Sequence, residues 1–460
     1  MTQLIGGFAQ EDITPSGPTP LAGYFNERIS TGVIDPVRAK AAWFEGPGTQ
    51  ASLVVLDLVG LRRVDTELIR SRVEDTLGVP GARVLVTCTH THTAPATKSL
   101  FGLGFDARYV PDVVAPSVCR AVERARKSAQ PLSVRTGSTV ESGLAFNRRY
   151  WMKNGTVLTN PPKGDPNIVR PEGPVDHTVR VYAFETDGKP IGIVVAASNH
   201  TDTTGGEKVS ADWPGVLAAE MTDRLGGAFP VLLLNSPAGN INHFDLANPD
   251  AQCSRSEAVR IGKGYARFAL EALKSAAPME ALPLAAASES FDLPYREVSE
   301  KELAAARALV ATARSGASRR LTSEELAKGD PEVELIFARG LFDFAELRAR
   351  ADHERQEVAG LRLGDAAFIG LPGEPFVEIG LAIREASPFK FTSVFALLGD
   401  LAGYVPMPEC FDQGGYEPRT HRYNRFARNA AGVFIEKALE VLKKLRASSP
   451  GAVAAGHVNS

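Results

Sequence analysis

Short apolar runs, each closed by a polar cluster, recur along the chain. They stand at 53–57 (Leu-Val-Val-Leu-Asp), 84–88 (Val-Leu-Val-Thr-Cys), 191–198, 230–234 and 391–398. Runs of four to eight β-branched and aliphatic residues bounded by polar, Gly or Pro positions read as buried strands. Helical spacing lies between them: Leu68, Ile69, Val73 and Leu77 share one face over 64–78, and further helices are predicted over 111–128, from near Trp213, and over 256–276, 375–386 and 425–447. The strand–helix–strand alternation predicts an α/β fold, with mixed β-sheets and flanking helices in one large domain over 1–447. Asn154-Gly155 marks a hairpin turn, and residues 357–371 read as two strands about a turn at 363–365. Residues 299–356, rich in Ala, Glu, Leu and Arg, are expected to form two or three helices in an outer layer. Residues 448–460 are small and polar and are expected to be a flexible tail. No internal repeat is found.

The polar clusters that close the apolar runs carry the candidate chemistry. Thr89-His90-Thr91-His92-Thr93-Ala94-Pro95 follows directly on the 84–88 run. In an extended segment residues two apart point to one side, so His90 and His92 are expected to project together. The other runs end at Asn199-His200, at Asn235 to His243, at Gly373-Glu374 and at Gly403-Tyr404. Two or three imidazoles with a carboxylate make a catalytic type of zinc set, which keeps a position open for water. Each residue also has an ordinary explanation. His90 and His92 suit a polar turn, His200 a core or cap position, Glu374 a helix N-terminus stabilised by the dipole, and Tyr404 a Gly-flanked turn. Sequence spacing alone does not bring them together.

Composition narrows the class. Lys plus Arg number 51 against 54 for Asp plus Glu, a net charge of −3, so neither a nucleic-acid partner nor stable membrane association is expected. Cys88, Cys119, Cys253 and Cys410 are scattered without metal or disulfide spacing. Met1 to Ile5 show no basic region leading into an apolar core, and no apolar run reaches the ~18 residues of a membrane span. The expectation is a reduced, cytoplasmic enzyme acting on a small molecule, with self-association into a homo-oligomer left open.

Motifs in order from about residue 5 to 440 carry a resemblance. They are Glu11-Asp12-Ile13-Thr14 with Gly23-Tyr24, Thr89 to Pro95, Asn147-Arg148, His200 with Ser210-Ala211-Asp212, Gly239-Asn240-Ile241-Asn242, Pro372-Gly373-Glu374, and Tyr404 with Gly415-Tyr416-Glu417. Together they resemble the catalytic domain of the neutral/alkaline, non-lysosomal ceramidases. The resemblance implies a zinc ion held by His90, His200, Glu374 and Tyr404. It also implies a zinc-bound water that attacks an amide carbonyl, His92 near the substrate as a proton shuttle, and Arg148 as a carbonyl or oxyanion donor. The pattern departs from the family at three points. Asn242 stands where the family has its proposed active serine and Asn240 where it has aspartate. Pro15 replaces a glycine. The chain also ends without the family's C-terminal β-sandwich and shows no signal peptide, so a membrane-lipid substrate is not expected.

The sequence therefore reads as a zinc-dependent hydrolase of an amide, or of an ester or lactone, in a soluble metabolite. His92, His243 and Asp212 are candidate proton carriers, Arg148 and Tyr416 candidate substrate holders, and Asn242 a candidate oxyanion-type donor. Ser236 lies near Asn242 in sequence at a different offset. A small, partly enclosed pocket is expected, lined or covered by the apolar loop Leu100-Phe101-Gly102-Leu103-Gly104-Phe105. Two alternatives remain open: a metal-dependent lyase or isomerase, and a non-catalytic ligand-binding protein.

Overall fold

A computed structural model describes residues 4–279, 282–312 and 330–448. The expected tail beyond 448 and the middle of the expected outer layer lie outside the described residues. Three sheets dominate. The first runs Val84–Cys88, Thr49–Leu56, Arg38–Gly46, Ile5–Asp12, Gln130–Pro131 in spatial order. The second runs Val231–Asn235, Lys189–Ala197, Thr178–Thr186, Ser133–Val140, Ala277–Pro278. The third runs Leu284–Pro294, His353–Leu363, Ala366–Gly370, Phe391–Phe395.

Each sheet is mostly antiparallel but carries one parallel pair. These are Thr49–Leu56 with Val84–Cys88, Lys189–Ala197 with Val231–Asn235, and Ala366–Gly370 with Phe391–Phe395. A parallel pair needs a crossover, and the crossover is a helix in each case: Arg63–Leu77, Asp212–Leu225 and Val377–Glu385. Strands of such pairs are buried on both faces, which is why they appear in the sequence as continuous apolar runs. Helices cover the outer face of each sheet. Phe8, Phe44, Tyr182, Phe184, Leu361, Phe368 and Phe395 from all three inner faces meet in one central core. The Tyr182 and Phe368 rings lie 4.6 Å apart and those of Phe8 and Phe184 5.0 Å apart, close enough for aromatic contact across sheets.

The three parallel pairs bring their carboxyl ends to one place, where the ends are tied by hydrogen bonds between sheets. Thr201 Oγ1 donates to Thr89 O at 2.8 Å, Ala396 N to Asn235 O at 2.8 Å, and Gly239 N to Pro375 O at 3.0 Å. In α/β architectures ligand sites form outside such carboxyl ends.

Several expected boundaries move. The strand Leu284–Pro294 carries an Ala-Ser-Glu sequence with little β signal, yet it pairs over its whole length with His353–Leu363. That partner begins inside the segment expected to be entirely helical, whose described helices are Glu300–Thr312 and Pro331–Arg348. The helix expected from 375 begins at Val377, because Glu374–Pro375 is taken into a two-strand ladder with Tyr404–Val405. The final helix is Ala430–Ala447 rather than one starting at 425. No helix among the described residues is long and apolar enough to cross a membrane.

Candidate metal centre

His90, His92 and His200 converge, all buried, with ligand-type nitrogens within 4.8 Å of one another. Nε2 of His90 lies 3.2 Å from Nε2 of His200 and 3.3 Å from Nε2 of His92. Glu374 closes the group: its Oε2 is 3.0 Å from His90 Nε2 and 3.7 Å from His200 Nε2. The backbone dictates where the lone pairs point. His90 Nδ1–H donates to Val59 O at 2.7 Å and His200 Nδ1–H faces Ala238 O at 3.4 Å. With its proton on Nδ1, a neutral imidazole presents a bare Nε2. Two bare nitrogens and a carboxylate oxygen turned on one another repel unless a cation stands between them. Glu374 Oε2 is buried without a hydrogen-bond donor, while Oε1 receives the Tyr423 hydroxyl at 2.5 Å. A tetrahedral site with bonds of ~2.0–2.1 Å has edges of about 3.3–3.4 Å, close to the separations found here. The donor set and the orphaned oxygen both fit a transition metal.

Electrostatics agree with this geometry. Burial, then the charges of Arg148, His90 and His92, hold His200 well below the ordinary histidine range. Burial, then His90, Arg28 and Arg148, do the same to His92. Both rings are therefore kept neutral, the form that binds metal. Burial also pulls His90 down, but the Glu374 carboxylate outweighs it and the net direction is upward. A proton and a metal ion thus compete for the same lone pair of His90.

Local conformation explains how His90 and His92 meet. The strand ends at Cys88, and His90 takes φ +73, so the alternation expected of an extended segment does not apply. A left-handed, non-glycine residue is held there by Thr89 N and His90 N, which donate to Leu56 O and Leu58 O at 2.9 Å each. On the far side of His92, Gly23 adopts φ +98, and a Cβ there would lie 2.4 Å from the His92 ring. His92 Nδ1 faces Asp202 Oδ2 at 3.8 Å, and Asp202 also receives the Tyr24 hydroxyl.

No protein-family model matches the sequence, and no curated protein matches it in a sequence search. Solved structures do match. The neutral ceramidase of Pseudomonas aeruginosa superposes with a TM-score of 0.71 at 18% identity, over 99% of this chain and 77% of that one. A structure described as ceramidase complexed with C2 gives a TM-score of 0.71 at 16% identity, over 99% of this chain and 78% of that one. The chain has the neutral ceramidase fold.

Within this ceramidase fold the other expected site residues fall into two groups. Arg148, Asn242, His243, Tyr404 and Tyr416 line the same cavity as His90, His92, His200 and Glu374. Tyr404 is the direct neighbour of Glu374 in the two-strand ladder, and its hydroxyl lies 3.2 Å from that of Tyr416. Arg148 stacks over both rings, with its guanidinium carbon 5.2 Å and 5.3 Å from their centroids. It is anchored by Glu417 Oε1 at 3.0 Å and Gly239 O at 2.6 Å. Asn242 donates to Asn160 Oδ1 at 2.7 Å, and His243 Nε2–H to Gln252 O at 2.5 Å. Asp212 and Ser236 are not brought to the cavity. Asp212 accepts from Thr203, Thr204 and Trp213 backbone N–H groups at 3.0, 2.7 and 2.7 Å, and so secures the loop after His200. Ser236 faces a separate crevice with Asp176 and Arg384.

Sequence reasoning missed Asp202, Tyr423 and Asn160, and it noted Tyr24 without a site role. Asp202 stands two residues after His200, a spacing that offered a signal, whereas Tyr423 and Asn160 offered none. The expectation of one small pocket is also corrected. The cavity around the histidines holds about 100 Å³, but it shares Phe25, Leu100, Phe101 and Tyr423 with an adjoining cavity of about 1090 Å³. Leu100 and Phe101 of the apolar loop line both.

Proposed function

We propose that the protein is a zinc-dependent hydrolase that cleaves an amide bond, or an ester or lactone, in a small metabolite. The observation that carries this reading is the buried convergence of His90, His200 and Glu374 on one point, with Glu374 Oε2 left without a donor. The ceramidase fold adds support, since its solved examples are amide-cleaving enzymes by name. His90, His200 and Glu374 would hold the ion, with the adjacent Tyr404 hydroxyl completing the set. When bound, zinc supplies an activated water and polarises a carbonyl.

The chain's own groups supply the rest. Arg148, fixed by Glu417 and Gly239, directs its remaining N–H groups toward a substrate carbonyl oxygen. Tyr416 is a neutral phenol, raised above the ordinary tyrosine range by burial, and donates to the same oxygen as charge develops. His92, neutral and backed by Asp202, takes a proton from the nucleophile and passes it to the leaving amine. Asn242 stands where a serine nucleophile is expected and is tied to Asn160, so no acyl-enzyme is expected.

One observation favours a second reading of His92: its Nε2 stands at a tetrahedral-edge distance from His90 Nε2 and can ligate the ion itself. The metal content of His92→Ala separates the two, since a proton carrier can be removed without losing metal. The function itself is tested with an amide, ester and lactone panel in ¹⁸O-labelled water. Chelator-sensitive incorporation of label into product supports hydrolysis, and turnover without label supports a lyase or isomerase.

A further inference from the structure

The large cavity beside the metal pocket has a composition that specifies its occupant. Its inner end is apolar and aromatic. Phe25 and Phe101 have ring centroids 4.3 Å apart, Phe337 lies 6.2 Å from Phe25, and Phe101 lies 6.0 Å from Tyr423, the residue that donates to Glu374. Its volume, about 1090 Å³, matches the upper range of small-molecule sites and dwarfs the ~100 Å³ at the histidines. A substrate confined to the smaller space would leave this apolar wall unused.

The outer part is cationic. Arg62, Lys98, Arg339, Arg422 and Arg425 line the cavity against three carboxylates, those of Glu332, Asp343 and Glu354. Arg62 is paired with Asp65 at 2.7 Å and Arg425 with Glu354 at 2.6 Å, while Lys98 donates to Leu401 O at 2.8 Å. Arg339 and Arg422 are exposed and form no side-chain ion pair among the described residues. Two free guanidinium groups at the rim of an apolar chamber suit a carboxylate, sulfonate or phosphate, and Arg binds such oxyanions through paired N–H groups.

We propose that this cavity is a subsite for an apolar substrate arm of several carbons that ends in an anionic group, with the scissile carbonyl at the histidines and the anion at Arg339 and Arg422. This rests on the hydrolase reading for the carbonyl end only; binding of the arm needs no metal. The substrate class is thus an anionic amphiphile, an N-acyl or N-alkyl amide whose far end is charged, rather than a neutral two-chain lipid.

The test uses the full chain and calorimetric binding of three probes built on a ten-carbon chain: decanoate, decanedioate monomethyl ester and decanol. The two anions are expected to bind at least about tenfold more tightly than decanol, with affinity falling as salt rises. Arg339→Gln with Arg422→Gln should erase that preference while leaving decanol binding unchanged. Phe101→Ala should weaken all three. His90→Ala should not alter anion binding, which separates this claim from the metal reading: zinc binding with no anion preference overturns the subsite alone, and anion preference without zinc overturns the hydrolase alone. Equal binding of decanol and decanoate, or an unchanged preference in the double arginine variant with native thermal stability, would sink the proposal.

Discussion

The two walls of the composite cavity are built in opposite ways. The histidine-lined wall stands on the carboxyl ends of parallel strands from three different sheets, and His90 and Glu374 there are held by Val59 O and the Tyr423 hydroxyl. The facing wall comes from the loop around Leu100–Phe105 and the helix Pro331–Arg348, and it includes half-buried and exposed side chains. The first wall is a set of short contacts between buried polar groups. The second offers apolar area and exposed cationic side chains instead. Under the proposed function, chemistry belongs to the first wall and selectivity to the second, and the ligand variants below are expected to damage the first and spare the second.

The largest expected effects belong to the proposed metal ligands. His90→Ala and His200→Ala should each leave the protein without stoichiometric metal and without measurable hydrolysis, while decanoate binding persists. Elemental analysis beside calorimetry checks both halves. Lower pH should mimic them, since ligating histidines must be deprotonated. Because Glu374 raises the pKa of His90, proton competition begins at a higher pH than for an ordinary histidine, and metal should be released as pH falls.

Next come residues that position His92. Asp202→Asn removes the carboxylate behind its ring and should cost about 10–100-fold in kcat/KM, with the fold intact by circular dichroism. Gly23→Ala should have a comparable effect by a different route. A Cβ at φ +98 is strained, and it would lie only 2.4 Å from the imidazole, so the ring must leave its seat. If Gly23→Ala retained full activity, the tight seating of His92 would have no functional role.

The smallest expected effect lies in the scaffold. Glu378 sits below the site, with Oε2 accepting from Asn240 Nδ2 at 2.9 Å, and burial pushes its pKa up to about 7. Its folded pKa exceeds the unfolded one, so the folded state binds more protons, and stability is lost as pH rises through this window. Glu378→Gln keeps the acceptor and removes the charge. It should stabilise the protein by about 1–2 kcal/mol at pH 8.5 and by little at pH 4.5, measured by denaturant titration. A variant equally stable or less stable at both pH values would contradict the assignment.

The same contrast explains what was legible in the sequence. The parallel strands are buried on both faces, so Leu53 to Leu56, Val84 to Cys88 and Leu232 to Leu234 stand out as apolar runs and mark where the site residues follow. His90, His200, Glu374 and Tyr404 each follow such a run, and the fold brings them to one cavity. Leu284–Pro294 escaped notice because long-range pairing, rather than its Ala-rich sequence, makes it a strand. The Phe25, Phe337 and Arg422 wall escaped as well. Its members come from distant segments with no shared period, and only the fold places them beside the histidines. Even where His90 and His92 were paired correctly, the extended geometry was wrong. The left-handed turn at His90, and not strand alternation, aims the ring.

The most direct test of the central claim is an anomalous-scattering map at the zinc edge, collected from crystals of the protein purified without added metal. The account predicts one strong peak about 2.0–2.1 Å from Nε2 of both His90 and His200, with Glu374 Oε2 on the same peak. A map with no peak at this position, from protein that hydrolyses amides in the presence of chelator, would contradict it.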